Sequence, residues 1–171
     1  MLKIRQENKK DYPEVYEVIK KAFLYALHSD GNEHNLVNKL RNSTCFIPEL
    51  SLVATIDEKI VGYILFTKIE IENNTELALA PLAVLPEYQK QGIGKSLIET
   101  GHKIAQNLGY HYSIVLGIET YYPKFGYQPA SKWDIKAPFE VKDENFMAVQ
   151  LNKPLTPVSG IVKYAKEFEI E

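Results

Sequence analysis

The stretch Pro81-Leu82-Ala83-Val84-Leu85-Pro86-Glu87-Tyr88-Gln89-Lys90-Gln91-Gly92-Ile93-Gly94-Lys95 leaves the chain few ways to continue. Leu82, Val84 and Leu85 stand in a nearly uninterrupted apolar run, as in a strand buried on both faces. Pro86 ends that strand by fixing its own φ and removing a donor. From Ile93 the apolar spacing becomes helical, through Leu97, Ile98, Gly101, Ile104, Ala105 and Leu108, with Gly109 as the stop. The turn between them presents the first free N–H groups of a helix, and Gly92 and Gly94 bring no Cβ to hold a ligand off the backbone. Free N–H groups at the positive end of a helix dipole make an anion site, best suited to a phosphate or pyrophosphate. A lone Gly-x-Gly here is equally a tight connection that needs two small residues. A dinucleotide fingerprint is excluded, since Leu97 stands where its third glycine or alanine belongs. A Walker loop needs a glycine five residues before Gly94 and finds Gln89.

The 171 residues, 45% of them hydrophobic, suffice for one globular domain with a sizeable core. A formal charge of −2 argues against a nucleic-acid platform, which needs a surplus of Lys and Arg. No apolar run approaches a membrane span, and Met1 to Gln6 lacks the apolar core of a signal peptide. The single Cys45 rules out an internal disulfide and fits a reducing compartment, so a cytoplasmic protein is expected.

Leu2 to Gln6 alternates as a short strand. Asp11-Tyr12-Pro13-Glu14 then carries a cap, a first-turn proline and a glutamate spaced for a capping box. The stripe Val15, Val18, Ile19, Ala22, Phe23, Ala26 predicts a helix ending near His28 to Asn32. A second helix from Glu33 buries Leu36, Val37 and Leu40 and stops before Asn42. Leu50 to Ile56 and Lys59 to Glu72 form a hairpin about Asp57-Glu58, with Gly62 marking a bulge or a close backbone approach. Asn73-Asn74-Thr75 turns the chain into Glu76 to Leu85, the central strand. After the long helix, His111 to Gly117 is that strand's parallel partner through a right-handed crossover. Tyr121 to Tyr127 is a short turn or helix, Gln128 to Asn145 a partly ordered loop with strand character near its start, and Phe146 to Leu151 a last core strand. Residues 154–171 form an appendage to the one domain, in which Gly160 to Tyr164 is a small edge strand.

Gln89-Lys90-Gln91-Gly92-Ile93-Gly94, preceded by Leu-Ala-Val-Leu-Pro-Glu-Tyr, resembles motif A of the GNAT superfamily of acyl-CoA N-acyltransferases. The resemblance covers about Met1 to Leu151. Its finer features resemble the YhbS-like branch: Glu33 to Arg41, Pro81 to Gln89, Val115-Leu116-Gly117 with Tyr121-Tyr122-Pro123-Lys124-Phe125-Gly126-Tyr127, and Phe146 to Val149. It implies an α/β GNAT fold, a mixed twisted sheet with an antiparallel N-terminal part and a parallel central pair, flanked by helices. It also implies acetyl transfer from acetyl-CoA to a primary amine, by direct attack in a ternary complex. The N–H groups of Gln91, Gly92, Ile93, Gly94 and Lys95 would hold the coenzyme pyrophosphate, with Gln89 shaping the turn. The main chain of Leu82, Ala83 and Val84 would pair with the pantetheine arm where the two parallel strands splay, and an N–H near Val84 would polarise the thioester carbonyl. Tyr122, four residues before Gly126, takes the position of the family's general acid, while Tyr121 is read as aromatic packing. Dimers are common among similar proteins.

Leu77 to Pro86 contains no carboxylate, so the strand supplies no general base. Water carries the proton, or Glu33, Asp30 or His28 reaches in from the helix–helix connection. His28, His34, His102 and His111 share no metal-ligand spacing, His102 falls on the polar side of its helix, and no metal site is expected. Cys45 reads as a small core residue, and Glu70, Glu72 and Glu76 as a solvated strand end. The missing strand carboxylate leaves open a non-catalytic acyl-CoA-binding or sensing module. A nucleotide-phosphate binder of another class requires the cradle without the family resemblance.

Overall fold

Asp57 and Glu58 both adopt left-handed backbone (φ 50° and 68°), the paired geometry that a two-residue hairpin turn needs to match the twist of its strands. In the computed structural model, which describes residues 1–26 and 29–170, this turn joins β2 (Phe46–Ile56) to β3 (Lys59–Ile71). With β1 (Leu2–Gln6) and β4 (Asn74–Val84) they form an antiparallel meander. The expected strand from Leu50 in fact starts at Phe46, and the stretch carrying Pro48 lies in a break of register between Phe46 and Ser51, where a missing donor costs nothing. The turn into β4 is shorter than expected, because Glu72 takes a left-handed φ of 53° and Asn74 already pairs with Ile71.

From β4 the chain crosses through α3 (Ile93–Asn107) to β5 (Tyr112–Leu116), which lies parallel to β4. β8 (Phe146–Gln150) and β6 (Gln128–Pro129) complete the order β1-β2-β3-β4-β5-β8-β6. Alternation along β3 places the helices. Gly62 and Phe66 face α3, whose Ile93 and Leu97 lie 3.1 Å from where a Gly62 Cβ would sit and whose Gly101 lies under the Phe66 ring. Gly62 is therefore a close approach, beside a slip of register between Ala54 and Thr55. Tyr63 faces the opposite side, and its hydroxyl meets Ser51 Oγ at 2.7 Å. Ser51 donates to Glu7, which also accepts from Arg41 of α2 (Glu33–Arg41), so a buried ion pair ties that helix to the sheet.

α1 (Tyr12–Phe23) buries Val15, Val18 and Ile19 but stops at Phe23, and Ala26 is exposed. The expected capping box at Asp11 belongs one turn earlier. Asp11 accepts from the N–H of Asn8 and is held by Arg5 of β1, while Glu14 accepts from the N–H of Ile60. β7 (Ile135–Lys136) pairs in parallel with β9 (Gly160–Lys163), which joins β3 at Glu70 and Ile71. The tail thus covers part of the sheet, with Val158 and Val162 buried.

Candidate active site

β4 and β5 pair only at Leu77–Ser113 and Ala78–Ile114. Beyond that point β5 keeps only its other neighbour, β8, with Val115 and Leu116 opposite Met147 and Phe146, while β4 runs on to Val84 beside β3. The sheet therefore opens along one edge of Leu79 to Val84. Leu85 donates its N–H to Val61 O at 2.9 Å across the β3–β4 pair. One residue back, the main-chain groups of Val84 turn to the opposite, open edge, as do those of Leu82. The amide of Gln89 marks that edge by donating to Val84 O at 3.2 Å. The same alternation directs the polar groups of Ala83 to β3, so of the three residues expected to pair with pantetheine, Leu82 and Val84 present them to the gap.

The loop after β4 is set by its torsions. Lys90 and Gly92 are left-handed (φ 63° and 83°), and Gln91 is tied back by its side chain to Glu87 O. Left-handed residues alternating with right-handed ones turn successive N–H groups inward as an anion-binding nest. Among the described residues, no protein acceptor receives the N–H groups of Gln91, Gly92, Ile93, Gly94 or Lys95. A Cβ on Gly92 would meet nothing within 4 Å. Gly94 differs, because a Cβ there would lie 2.4 Å from the Tyr121 hydroxyl, with Leu82 Cδ2 3.8 Å away on the same side.

Tyr122 opens the short helical turn Tyr122–Phe125, which follows β5 after five residues. Its ring packs over Gly117, where a Cβ would fall 2.3 Å from Cε2. Edge-to-face contacts with Tyr121 (5.1 Å between centroids) and Tyr127 (5.7 Å) hold the ring from both sides. The side chain is partly exposed, and its hydroxyl donates to no described residue. Burial raises its pKa, and Tyr121 adds to the shift, so the phenol stays protonated.

The other candidates take structural posts. Glu76 is not a solvated strand end, for its side chain is fully buried and accepts from His111 N (2.8 Å), His111 Nδ1 (2.9 Å) and Tyr112 N (3.1 Å). It anchors the start of β5 at the end away from the gap. Asp30 accepts from the N–H of Asn32 and Glu33 from Ser29 Oγ, both local contacts at the approach to α2, and His28 lies outside the described residues. His102 turns inward instead of outward. It packs on Phe66, meets Tyr127 O–H at 3.0 Å, and burial lowers its pKa to about 4. Cys45 is buried, as expected, and burial raises its thiol pKa. Among the described residues, no group of three His, Cys, Asp or Glu is placed to hold a metal, and no helix is long and apolar enough to cross a membrane.

Residues 45–129 match the model of the acetyltransferase (GNAT) domain. Over 143 residues the chain is 37% identical to the uncharacterized N-acetyltransferase YjhQ of Escherichia coli K12, spanning 81% of this chain and 76% of that protein. The chain belongs to the GNAT family. A second GNAT relative, the uncharacterized N-acetyltransferase YhbS of the same strain, is 30% identical over 169 residues, 96% of this chain and 97% of the other. Among solved structures, YhbS from Escherichia coli in complex with CoA matches with a TM-score of 0.89 and 28% identity, over 99% of this chain and 92% of that one. A GNAT acetyltransferase from Brucella melitensis in complex with acetyl-CoA matches with a TM-score of 0.81 and 28% identity, over 98% of each. The GNAT resemblance read from the motifs, its YhbS-like features and the fold they imply are borne out.

Proposed function

We propose that this chain is an acetyl-CoA-dependent N-acetyltransferase that carries an acetyl group to a primary amine by direct attack, with no covalent enzyme intermediate. The observation that carries this is the splay of β4 from β5 beyond Ala78 and Ile114, with unengaged N–H groups at the head of α3 and the Tyr122 hydroxyl past the end of β5. A pantetheine arm laid along Leu82 and Val84 completes the hydrogen bonding of an otherwise open strand edge. Its pyrophosphate meets the N–H groups from Gln91 to Lys95, beside the turn shaped by Gln89. The amine nitrogen attacks the thioester carbonyl, whose oxygen gathers negative charge opposite the Val84 N–H, and the C–S bond then breaks. The surplus amine proton leaves through water, since Glu76, the one carboxylate of β4, is saturated by three donors. Burial lifts the Tyr122 pKa further above that of a thiol, near 8.5, so full proton transfer to the departing sulfur is uphill; a hydrogen bond to the thiolate carries no such penalty. Tyr122 thus acts first by hydrogen-bonding the leaving group. A reducing, cytoplasmic setting suits the buried Cys45 and this cosubstrate.

The test is a calorimetric titration of acetyl-CoA into wild type, Gly92→Asn and Gly92→Asp, with thiol release measured over a panel of primary amines. Asn and Asp have the same shape and both tolerate left-handed backbone, so only the charge beside the N–H groups differs. Wild type and Gly92→Asn should bind, Gly92→Asp should bind at least roughly tenfold more weakly, and an amine should release thiol. Equal binding by the two variants, or none by wild type, would overturn the proposal.

A further inference from the structure

Two adjacent tyrosines face different parts of the site, and the family motif gives a role only to the second. Tyr121 precedes the helical turn, and its hydroxyl rests against Gly94, the second residue of α3. The contact is close enough that Gly94 has no room for a side chain. An amide nitrogen lies about 2.5 Å from its own Cβ, as bond lengths and tetrahedral angles require. The Tyr121 oxygen, 2.4 Å from that Cβ position, is therefore within roughly 5 Å of the Gly94 nitrogen. Two donors so spaced can both reach one phosphate group, at about 2.8 Å each.

Among the described residues, none uses this hydroxyl. The Tyr121 side chain is half-buried and donates to no described residue, and burial raises its pKa, so it remains a donor. Its direction is fixed by the ring alone, held edge-on by Tyr122 (5.1 Å, 87°) and Phe125 (5.1 Å, 67°), with Lys124 Nζ 5.8 Å from the ring centroid. A phenylalanine would pack as well. An oxygen that packing does not require, aimed at the first turn of a helix whose N–H groups are unengaged, is a ligand donor.

We propose that Tyr121 is a coenzyme-binding residue, its hydroxyl donating a hydrogen bond to the pyrophosphate held at the N–H groups of Gly94 and its neighbours. The inference rests on the acetyltransferase reading and divides the work between the pair. Tyr121 holds the cosubstrate by its phosphate, and Tyr122 serves the departing sulfur. The two substitutions to phenylalanine should then fail in opposite ways.

Calorimetry with coenzyme A, and steady-state kinetics with acetyl-CoA and with S-acetylpantetheine, which has no phosphate, decide the matter. Tyr121→Phe should raise the Kd for coenzyme A and the KM for acetyl-CoA roughly ten- to a hundredfold, the worth of a hydrogen bond to a charged group. Its kcat at saturation should stay within about twofold, its unliganded melting temperature should match wild type, and its KM for S-acetylpantetheine should not move. Tyr122→Phe should lower kcat and leave the KM for acetyl-CoA within about threefold, since the sulfur it serves carries no charge until the thioester breaks. Equal losses of Tyr121→Phe on both thioesters would move the contact to the pantetheine arm and overturn the phosphate assignment. An unchanged Kd for Tyr121→Phe, with binding still lost in Gly92→Asp, would overturn the role of Tyr121 and leave the acetyltransferase reading standing. No binding by wild type would overturn both.

Discussion

Placing the Tyr121 hydroxyl against Gly94 has a consequence for stability that needs no ligand. A Cβ at Gly94 would lie 2.4 Å from that oxygen, roughly an ångström inside ordinary contact, but 3.8 Å from Tyr121 Cζ, a normal van der Waals distance. The whole clash is one atom. Gly94→Ala alone must push the ring away from Tyr122 and Phe125, an overpacking cost of about 1–3 kcal/mol, against a gain of up to about 1 kcal/mol from alanine in a helix. With Tyr121→Phe the oxygen is gone, and the same alanine should be neutral or stabilising by up to about 1 kcal/mol. The two substitutions should therefore couple by about 1–3 kcal/mol, with the double variant more stable than the sum of the singles. Urea denaturation of the four proteins measures this directly, provided the m-values agree. Additivity within about 0.5 kcal/mol would refute the placement of the hydroxyl, and the phosphate contact argued from it would fall as well.

Two further outcomes follow from the same packing. Gly117→Ala puts a Cβ 2.3 Å from Tyr122 Cε2, so it should displace that ring and lower kcat at least roughly tenfold while changing the KM for acetyl-CoA by less than about threefold; a kcat within twofold of wild type would show that the ring position is immaterial. His102 has a pKa lowered to about 4 by burial, against about 6.5 when unfolded, so the unfolded chain takes up its proton first as pH falls. Its contribution is complete above about pH 6.5 and is lost progressively toward pH 4, by up to about 3 kcal/mol; His102→Gln, which keeps a partner for Tyr127, should flatten that part of the stability–pH curve, and an unchanged curve would clear His102 of the effect.

What the sequence disclosed and what it withheld separate by the range of the interactions. The turn at Asp57-Glu58, the end of the central strand before Pro86 and the switch to helix at Ile93 are local choices, so the β2–β3 hairpin, the end of β4 and the start of α3 were legible, while β2 begins four residues earlier and β4 two residues earlier than the local pattern suggested. Asp11 was misread because its carboxylate is claimed by Arg5 from β1, and α1 was drawn too long because helical spacing continues through Ala26 after the chain has turned away. Glu76 looked like its neighbours Glu70 and Glu72, yet the register opposes it to Ile69, on the other face from Glu70, where the start of β5 closes over it. That register depends on a turn one residue shorter than the sequence suggested. His102 follows Gly101, whose missing side chain brings the Phe66 ring close enough for the imidazole to pack on it, so the helix face that buries it is widened by a residue with no side chain. The two tyrosines are the sharpest case. A motif distinguishes them by distance from Gly126, but only the path of the chain from β5 back to α3 decides that Tyr122 lies over Gly117 and Tyr121 over Gly94. The glycine at 94 was legible as room for a ligand, and that room already holds a protein hydroxyl. On the proposed reading a phosphate at that point meets an amide and a phenol together, and the approach of those two segments, 27 positions apart, is one that no local pattern could have disclosed.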